Sequence, residues 1–227
     1  MIKNKKIVAL IPLRGGSKSI PYKNIKNLGG KPLAFWVCQA ALESKYIDAV
    51  YVSTEDEKIK KTIENLKLPI KIIDRPENLA TDVATDEAVL LHAIQEIKCD
   101  ILIDLHATHP LTDASHLDSA LEKFVKGGYD SMLTGVLFKN FYWTREGVPL
   151  NYNPLKRPMR QQWEGTVTEN GAFYITTPDT LRTHGNFLGG KIGIYEMPKD
   201  IYVDIDEPSD WEKAEKMFAL KKVTKND

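Results

Sequence analysis

The residues best suited to chemistry follow the first apolar run of the chain. Residues 7–12 form a hydrophobic segment of strand length, and the stretch after it is polar and contains glycine. Glycines let backbone N–H groups approach phosphate oxygens, and fixed cations supply positive charge where an oxyanion would lie. We therefore predict that residues 13–24, named here the phosphate loop, bind an anion, although a basic surface loop would look similar. The residues that suggest this are Arg14, Gly15, Gly16, Ser17, Lys18, Lys23 and Asn24.

The common phosphate-binding fingerprints do not fit the phosphate loop. Its Gly-Gly-Ser-Lys-Ser run at residues 15–19 lacks the upstream glycine of a Walker loop, and no G-x-G-x-x-G pattern follows the strand. The ligand of the loop must therefore be inferred from the rest of the chain.

A second group of candidate ligands lies near the end of the sequence. Asp204 and Asp206 flank Ile205, so both carboxylates point to one face of an extended segment. Mg²⁺ takes one or two carboxylates and completes its coordination with waters and substrate phosphates. The pair therefore predicts a magnesium site. The alternative is an acidic turn in which Ser209 or Asp210 caps the following helix without a metal.

Alternating strands and helices are predicted to position both groups. This alternation is typical of an α/β fold with a doubly wound, mostly parallel sheet, in which ligands bind at the carboxyl ends of the strands. The polar loops after the strands are therefore expected at one edge of the sheet. Thr85 or Asp86 is placed to cap the third helix. Strands are expected at 7–12, 49–54, 70–73 and 100–105, and helices at 32–44, 57–66 and 87–97.

An irregular aromatic segment at about 138–169, named here the arm, interrupts the second half of the chain. It contains Phe141, Tyr142, Trp143 and several prolines, with little periodicity. Such an insertion often reaches a substrate or a partner subunit, and the alternative is an arm that packs on its own sheet. We expect one domain over residues 1–227 and a homodimer. Strands are expected around the arm at 131–136, 171–175 and 192–197, and helices at 115–124 and 211–220.

The composition narrows the class of protein. Lys plus Arg and Asp plus Glu are balanced at 31 each, so no global positive field would recruit nucleic acid. Two cysteines, Cys38 and Cys99, suit reduced thiols better than a disulfide framework. The N-terminal apolar run is too short for a signal peptide or a membrane span. We therefore expect a cytoplasmic protein with neither nucleic-acid nor membrane partners.

Together, the motifs resemble those of the acylneuraminate cytidylyltransferases, the family that activates sialic-acid-like sugars. Each motif is modest evidence, but they cover nearly the whole chain in the family's order. They are residues 11–18 with Lys23-Asn24, 52–56, Arg75-Pro76 with 79–82, Thr108 with Pro110-Leu111, Arg160-Gln161, 170–174, and 204–206 ahead of Asp210.

The resemblance implies a Rossmann-like nucleotidyltransferase fold and a Mg²⁺-dependent reaction. CMP would pass from CTP to the anomeric hydroxyl of a 2-keto-3-deoxy sugar acid, such as an N-acylneuraminate or its deaminated analogue, with release of pyrophosphate. Arg14, Lys23, Asp204 and Asp206 would be catalytic, the two aspartates as metal ligands. Leu13, Arg14, Gly15, Gly16, Ser17, Lys18, Asn24, Ala80 and Thr81 would bind the nucleotide, and Thr85, His106, Arg160, Asn170 and Tyr174 the sugar.

The chain departs from the family's pattern at residues 106–112. Most relatives have Gln-Pro-Thr-Ser-Pro-Leu-Arg there, whereas this chain has His-Ala-Thr-His-Pro-Leu-Thr. A glutamine amide donates and accepts hydrogen bonds at once, while a histidine does so through two ring nitrogens set by its tautomer. The preferred acceptor is therefore open: a legionaminate, pseudaminate or keto-deoxyoctulosonate type sugar, or another nucleotide, remains an alternative. A binding module that has lost catalysis is a third hypothesis.

Overall fold

The structure is a computed structural model that describes residue 2 and residues 4–224. The strands of this part are β1 (Ile7–Pro12), β2 (Asn27–Leu28), β3 (Lys31–Pro32), β4 (Ala49–Thr54), β5 (Ile70–Asp74), β6 (Ile101–Leu105), β7 (Ser131–Phe138), β8 (Thr166–Thr176) and β9 (Ile192–Glu196). The α-helices are α1 (Leu33–Glu43), α2 (Glu57–Asn65), α3 (Asp86–Glu96), α4 (Ala114–Gly127), α5 (Pro178–His184) and α6 (Pro208–Thr224).

The central sheet has the strand order β5-β4-β1-β6-β8-β7-β9. Strands β5, β4, β1 and β6 are parallel neighbours, β8 is antiparallel to both β6 and β7, and β9 is parallel to β7. The predicted doubly wound, mostly parallel sheet is confirmed. Because the chain proceeds from β1 to β4 on one side and returns to β6 on the other, the gap between β1 and β6 is a topological switch point.

Strand β1 is at the centre because its side chains can be buried on both faces. Ile7, Ala9 and Ile11 pack into one core with α1, α2 and α4. Val8 and Leu10 pack into the core on the opposite face, with residues of α3 and α5. A continuous apolar run, rather than an alternating one, is the pattern expected for a parallel strand covered by helices on both faces.

The second half of the sheet is longer than the sequence pattern predicts. Strand β8 begins at Thr166, five residues before the predicted start, because its polar first half pairs with the extended end of β7. The irregular arm is therefore confined to residues 139–165. A bulge between Leu133 and Gly135 adjusts the register of the pair.

Two small elements were not predicted. Gly29 and Gly30, both at positive φ, form the turn of the β2–β3 hairpin. Leu28 of this hairpin packs with Trp211 and Phe218 of α6, which anchors the last helix to the sheet. Helix α5 begins at Pro178 after an N-cap by Thr177, a signal visible in the sequence.

None of the helices in the described part of the chain is long and apolar enough to cross a membrane. The cytoplasmic location and the single-domain organisation stay predictions. Both cysteines are free thiols, as expected.

Candidate active site

A cavity of about 360 Å³ lies at the switch point, beyond the carboxyl ends of β1 and β6. The loops after β1, β5 and β6 meet there, as predicted, and the segment before α6 closes the opposite side. Its lining is strongly polar. The lining residues are Pro12, Arg14, Ser17, Lys23, Asn24, Arg75, Asp86, His106, Ala107, Thr108, His109, Gly171, Tyr174, Asp204 and Asp206.

The phosphate loop is held in place by hydrogen bonds of its backbone groups. The N–H of Leu13 donates to the carbonyl of Ser53 at 2.9 Å, and the side chain of Leu13 is buried in the core. The amide of Asn24 donates to the carbonyl of Arg14 at 3.1 Å. The N–H of Gly15 donates to Glu55 Oε1 at 2.7 Å. These bonds fix the loop before any ligand binds.

Gly15 is required at its position because α2 approaches it closely. A Cβ atom there would lie 2.5 Å from Oδ2 of Asp56. Asp56 cannot easily give way, since its other oxygen caps α2 by accepting from the N–H groups of Lys58 and Ile59. Gly16 has open space around it, so only the first glycine of the pair is imposed by packing.

Two cations of the phosphate loop share a single carboxylate. Asp82, in the loop before α3, lies 3.1 Å from Nη1 of Arg14 and 2.6 Å from Nζ of Lys18. The hydrogen bond from Lys18 is the main cause of the lowered pKa of Asp82. The cations therefore converge on one point, which a phosphate group could occupy in place of the carboxylate.

The two candidate metal ligands face the phosphate loop across the cavity. Between them, the N–H of Ile205 donates to the carbonyl of Thr108 at 3.0 Å. Nζ of Lys23 donates to the carbonyl of Ile205 at 2.6 Å and to Oδ1 of Asp206 at 2.9 Å. The segment is thus fixed to both β6 and the phosphate loop.

The donor set suits a hard cation that also binds a substrate. Burial, and then the negative charge of Asp206, raise the pKa of Asp204, so two carboxylates are held close together against their repulsion. The described residues contain no group of three or more His, Cys, Asp or Glu side chains that could hold a metal by themselves. Mg²⁺ fits this arrangement, because it takes few protein ligands and keeps sites for phosphate and water. The acidic turn expected as the alternative is also present. Oδ2 of Asp210, in the first turn of α6, accepts from the N–H groups of Asp206 and Glu207 just before the helix.

His106 occupies the side of the cavity away from the phosphate loop. Its Nε2 lies 3.0 Å from Oδ2 of Asp104, a completely buried carboxylate. Burial alone would lower the pKa of His106, but the charge and hydrogen bond of Asp104 outweigh it and raise the pKa to about 9. His106 is therefore an imidazolium at neutral pH. Its ring meets Tyr174 edge-on, with centroids 5.8 Å apart.

His109, the other histidine of this loop, is neutral, unlike His106. Burial lowers its pKa to about 3, with a further contribution from His106, so His109 is neutral. Its Nδ1 is 3.1 Å from the Thr108 hydroxyl and 3.8 Å from Oδ1 of Asp204. His109 thus packs behind the aspartate pair rather than binding in the cavity mouth.

The remaining predicted site residues lie apart from the cavity. Thr85 caps α3, its hydroxyl accepting from the N–H of Ala88 at 3.3 Å. The side chain of Asn170 is turned inward, with Nδ2 3.4 Å from Sδ of Met197. Ala80 and Thr81 border the Asp82 loop and do not line the cavity.

Arg160 lies in the arm, outside the cavity at the switch point. It is exposed and lines a separate pocket that is rich in cationic and aromatic side chains. Arg160 therefore does not line the cavity of its own chain. The lining of the second pocket is Lys139, Asn140, Phe141, Tyr142, Arg157, Pro158 and Arg160.

The sequence analysis missed two charged residues of the cavity, Arg75 and Asp86, and also Asp104, which is bonded to the lining residue His106. Arg75 is buried and donates to the Ser53 hydroxyl at 3.2 Å and to the Ser53 carbonyl at 2.7 Å. Asp86, considered only as a cap, lines the cavity, where burial and then the charge of Asp104 raise its pKa. Asp104 had a visible signal, because it is the only charged residue inside the apolar strand β6.

The mostly parallel sheet with a polar cavity at its switch point defines a Rossmann-like nucleotidyltransferase fold. Residues 8–226 match the family described as Cytidylyltransferase, and the chain belongs to this family. The resemblance to acylneuraminate cytidylyltransferases is thereby confirmed.

Individual relatives agree with this placement. N-acylneuraminate cytidylyltransferase A of Danio rerio is 38% identical over 221 residues, covering 94% of this chain and 51% of that protein. N-acylneuraminate cytidylyltransferase of Oncorhynchus mykiss is 39% identical, covering 92% and 49%. This chain spans about half the length of these two relatives. A pseudaminic acid cytidylyltransferase of Campylobacter jejuni is 28% identical over 226 residues, covering 95% and 97%.

Solved structures share the fold at low sequence identity. A CMP:2-keto-3-deoxy-manno-octonic acid synthetase complexed with CTP has a TM-score of 0.73 at 17% identity, covering 95% of this chain and 99% of that one. A 4-diphosphocytidyl-2C-methyl-D-erythritol synthase of Anaerococcus prevotii has a TM-score of 0.67 at 11% identity, covering 96% and 98%.

The pairing of His106 with Asp104 should make stability depend on pH. The pKa of His106 is raised to about 9 from an ordinary 6.5, so its stabilising contribution is fully present below about pH 6.5 and is lost as pH rises through 9. The quantity to compare is the difference in free energy of unfolding between the wild type and His106→Gln. We expect this difference to fall by on the order of 2–3 kcal/mol between about pH 6 and pH 10. Urea denaturation at several pH values measures this difference, and a pH-independent difference would contradict the assignment.

Proposed function

We propose that this chain transfers CMP from CTP to the anomeric hydroxyl of a sialic-acid-like 2-keto-3-deoxy sugar acid and releases pyrophosphate. The observation that carries the proposal is the convergence of two cations, Arg14 and Lys23, and the Asp204–Asp206 carboxylate pair on one cavity, in a chain of the cytidylyltransferase family. Cations suit the triphosphate, and paired carboxylates suit the metal that accompanies it.

The chemistry requires positioning and charge stabilisation more than a dedicated protein base. The anomeric oxygen attacks the α-phosphorus, its proton passes to solvent water, and the bond to the bridging oxygen of the leaving pyrophosphate breaks. Negative charge grows on the phosphoryl oxygens and on the leaving pyrophosphate. Arg14 and Lys18 would stabilise that charge, with the N–H group of Gly16 as a further donor.

Asp204 and Asp206 would hold Mg²⁺, and Lys23 would be released from Asp206 toward the phosphates. When bound, the ion would supply charge neutralisation and lower the pKa of the attacking hydroxyl. Thr108 and Lys23 support this role because both bind the backbone of Ile205 between the two ligands. A non-catalytic binding module would have no need for a carboxylate pair held in this way.

Recognition of the nucleotide would use the rest of the phosphate loop and the Asp82 loop. Asn24 is buried and reaches the cavity from the loop. Ala80 and Thr81 lie beside Asp82, so a nucleotide that displaces this carboxylate would meet them. Small residues and backbone groups leave room for a pyrimidine and would exclude a purine.

The sugar acid would bind between His106, Tyr174 and the metal ligands. N-acylneuraminate is favoured by relatives at 38–39% identity. A pseudaminate-type acceptor is the second candidate, because the 28% identical relative named for it matches this chain over nearly its full length. Thr85 and Asn170 would act on the sugar only indirectly, through α3 and the loop at Gly171.

The arm would form a homodimer and bring Arg160 to the site of the partner. Its apolar side chains are unusually exposed, with exposed fractions of 93% at Leu155, 63% at Leu150 and 62% at Met159. A contiguous exposed apolar surface favours a protein partner. A guanidinium pairs well with a sugar carboxylate, and the separate position of Arg160 suggests that it serves a second copy.

The proposed reaction is tested by pyrophosphate release with each of the four nucleoside triphosphates, Mg²⁺ and a panel of 2-keto-3-deoxy acids. We expect release with CTP, and a loss of about 100-fold or more in kcat for Asp206→Asn, because the metal loses a ligand at the reacting phosphate. Glu207→Gln, an exposed neighbouring carboxylate, is the matched control and should keep kcat. Absence of release with CTP and every acid would refute the proposal.

Removing the internal counterion of the phosphate loop should strengthen nucleotide binding. In the free protein a triphosphate has to displace Asp82 from Arg14 and Lys18. These pairs are exposed, so we expect Asp82→Asn to lower the Kd for Mg-CTP by only about two- to fivefold. Isothermal titration calorimetry measures it, with Glu77→Gln on the same loop as the control. A weakened affinity would show that Asp82 contributes to nucleotide binding rather than competing with the nucleotide.

The role of Arg160 is tested by mixing two inactive variants. Arg160→Ala lacks the arm residue and Asp206→Asn lacks the metal ligand. If each site combines one chain's cavity with the partner's arm, mixed and re-equilibrated variants should recover about a quarter of wild-type activity. Light scattering checks that the protein is a dimer. A monomer, or a mixture as inactive as its components, would exclude a shared site.

A further inference from the structure

Asp104 is a buried carboxylate that the proposed reaction does not use directly. Its side chain is completely buried within an apolar strand, and Oδ2 makes its hydrogen bond to Nε2 of His106 at 3.0 Å. The other oxygen, Oδ1, is buried and has no hydrogen-bond partner in the part of the chain that the structure describes. A buried carboxylate is costly unless a cation compensates it, so Asp104 and His106 are energetically coupled.

The sheet register fixes where the pair points. Asp104 lies opposite Leu10 on β1 and Tyr174 on β8. His106, two residues further along, lies on the same side of the chain. The ring is held by Asp104 at one edge and by Tyr174 at another, so it has little freedom to turn. Nδ1 makes no hydrogen bond within the described residues, while His106 lines the cavity.

The surroundings of the ring are predominantly anionic. This charge favours the imidazolium over the neutral ring, in agreement with the raised pKa of about 9. With Nε2 bonded to Asp104, the imidazolium presents Nδ1–H to the cavity as a donor without any accepting capacity. The charged and titratable neighbours are Asp104 on β6, Asp86 on α3, Asp204 before α6, Tyr174 on β8, Arg75 after β5 and His109 in the same loop.

We propose that Asp104 is a positioning residue for the acceptor: it fixes the ring of His106 so that Nδ1–H donates to an oxygen atom of the sugar acid. This inference rests on the proposed function and deepens it, because it names the acceptor chemistry. A fixed donor selects acceptors that present a hydroxyl, carbonyl or carboxylate oxygen there. It gives no hydrogen bond to an acceptor that presents only an N–H group.

The kinetic test uses Asp104→Asn, which keeps the size of the side chain and removes its charge. We expect KM for the sugar acid to rise by about tenfold or more, the scale of one charge-assisted hydrogen bond, while KM for CTP changes less than twofold. His106→Gln should give the same pattern, because its neutral amide cannot make a charge-assisted hydrogen bond. In the double variant, Asp104→Asn should add little to the effect of His106→Gln, because both changes remove the same interaction.

A matched control separates positioning from loss of packing. Asp118 is also a buried carboxylate, on α4, and its Oδ1 accepts from the Ser44 hydroxyl outside the cavity. Asp118→Asn should therefore lower the melting temperature and leave KM for the sugar acid unchanged. If Asp104→Asn fails to fold, His106→Gln on the cavity side still tests the contact with the acceptor.

A spectroscopic test does not depend on turnover. Nitrogen-15 NMR of histidine-labelled protein, with His106→Gln used to assign the signal, should show His106 mostly protonated at pH 8 in the wild type and neutral at that pH in Asp104→Asn. An ordinary titration of His106 in the wild type would overturn the proposal. So would equal changes in both KM values, or additive effects in the double variant. If no sugar acid is turned over, the proposed function fails, while the NMR result still decides whether Asp104 controls the ring.

Discussion

The central position of β1 is the constraint on which the site depends. Because β1 pairs in parallel with β4 on one side and β6 on the other, the loops that leave its carboxyl end and that of β6 must separate, and a cavity opens between them. Both loops are then secured through backbone groups. Leu13 is bonded to Ser53 at the end of β4, and Ile205 is bonded to Thr108 just after β6. The phosphate loop and the aspartate pair therefore face each other as a result of strand order.

Internal charge pairing is the second organising feature of the cavity. Arg14 and Lys18 share Asp82, Lys23 binds Asp206, and His106 binds Asp104. The first two arrangements are solvent-exposed at one or both partners and can be exchanged for phosphate or metal at small cost. The third is buried, so breaking it would leave an uncompensated carboxylate. The ion pairs of the phosphate loop and of Asp206 can thus exchange counterions, whereas the pair of Asp104 and His106 is permanent.

Sequence patterns predicted the scaffold and the meeting of the phosphate loop with the aspartate pair at one cavity, for physical reasons. Apolar runs that end in polar loops identify buried parallel strands, and the alternation about Ile205 places two carboxylates together. The polar start of β8 was missed because its hydrogen bonds come from β7, not from local preference. Asp104 was missed because burial of a single charge depends on a partner two residues away. Arg160 was assigned to the cavity because of the family resemblance. No local sequence pattern shows that the arm places Arg160 outside the cavity of its own chain.

The replacement of glutamine by histidine at residue 106 is best understood together with residue 104. A neutral amide can be buried beside apolar neighbours if its hydrogen bonds are made, whereas an imidazolium needs an anion close by. An unpaired carboxylate at residue 104 would be equally costly within β6. Each residue therefore requires the other. In the proposed reaction, the choice of acceptor would therefore depend on Asp104 and His106 jointly.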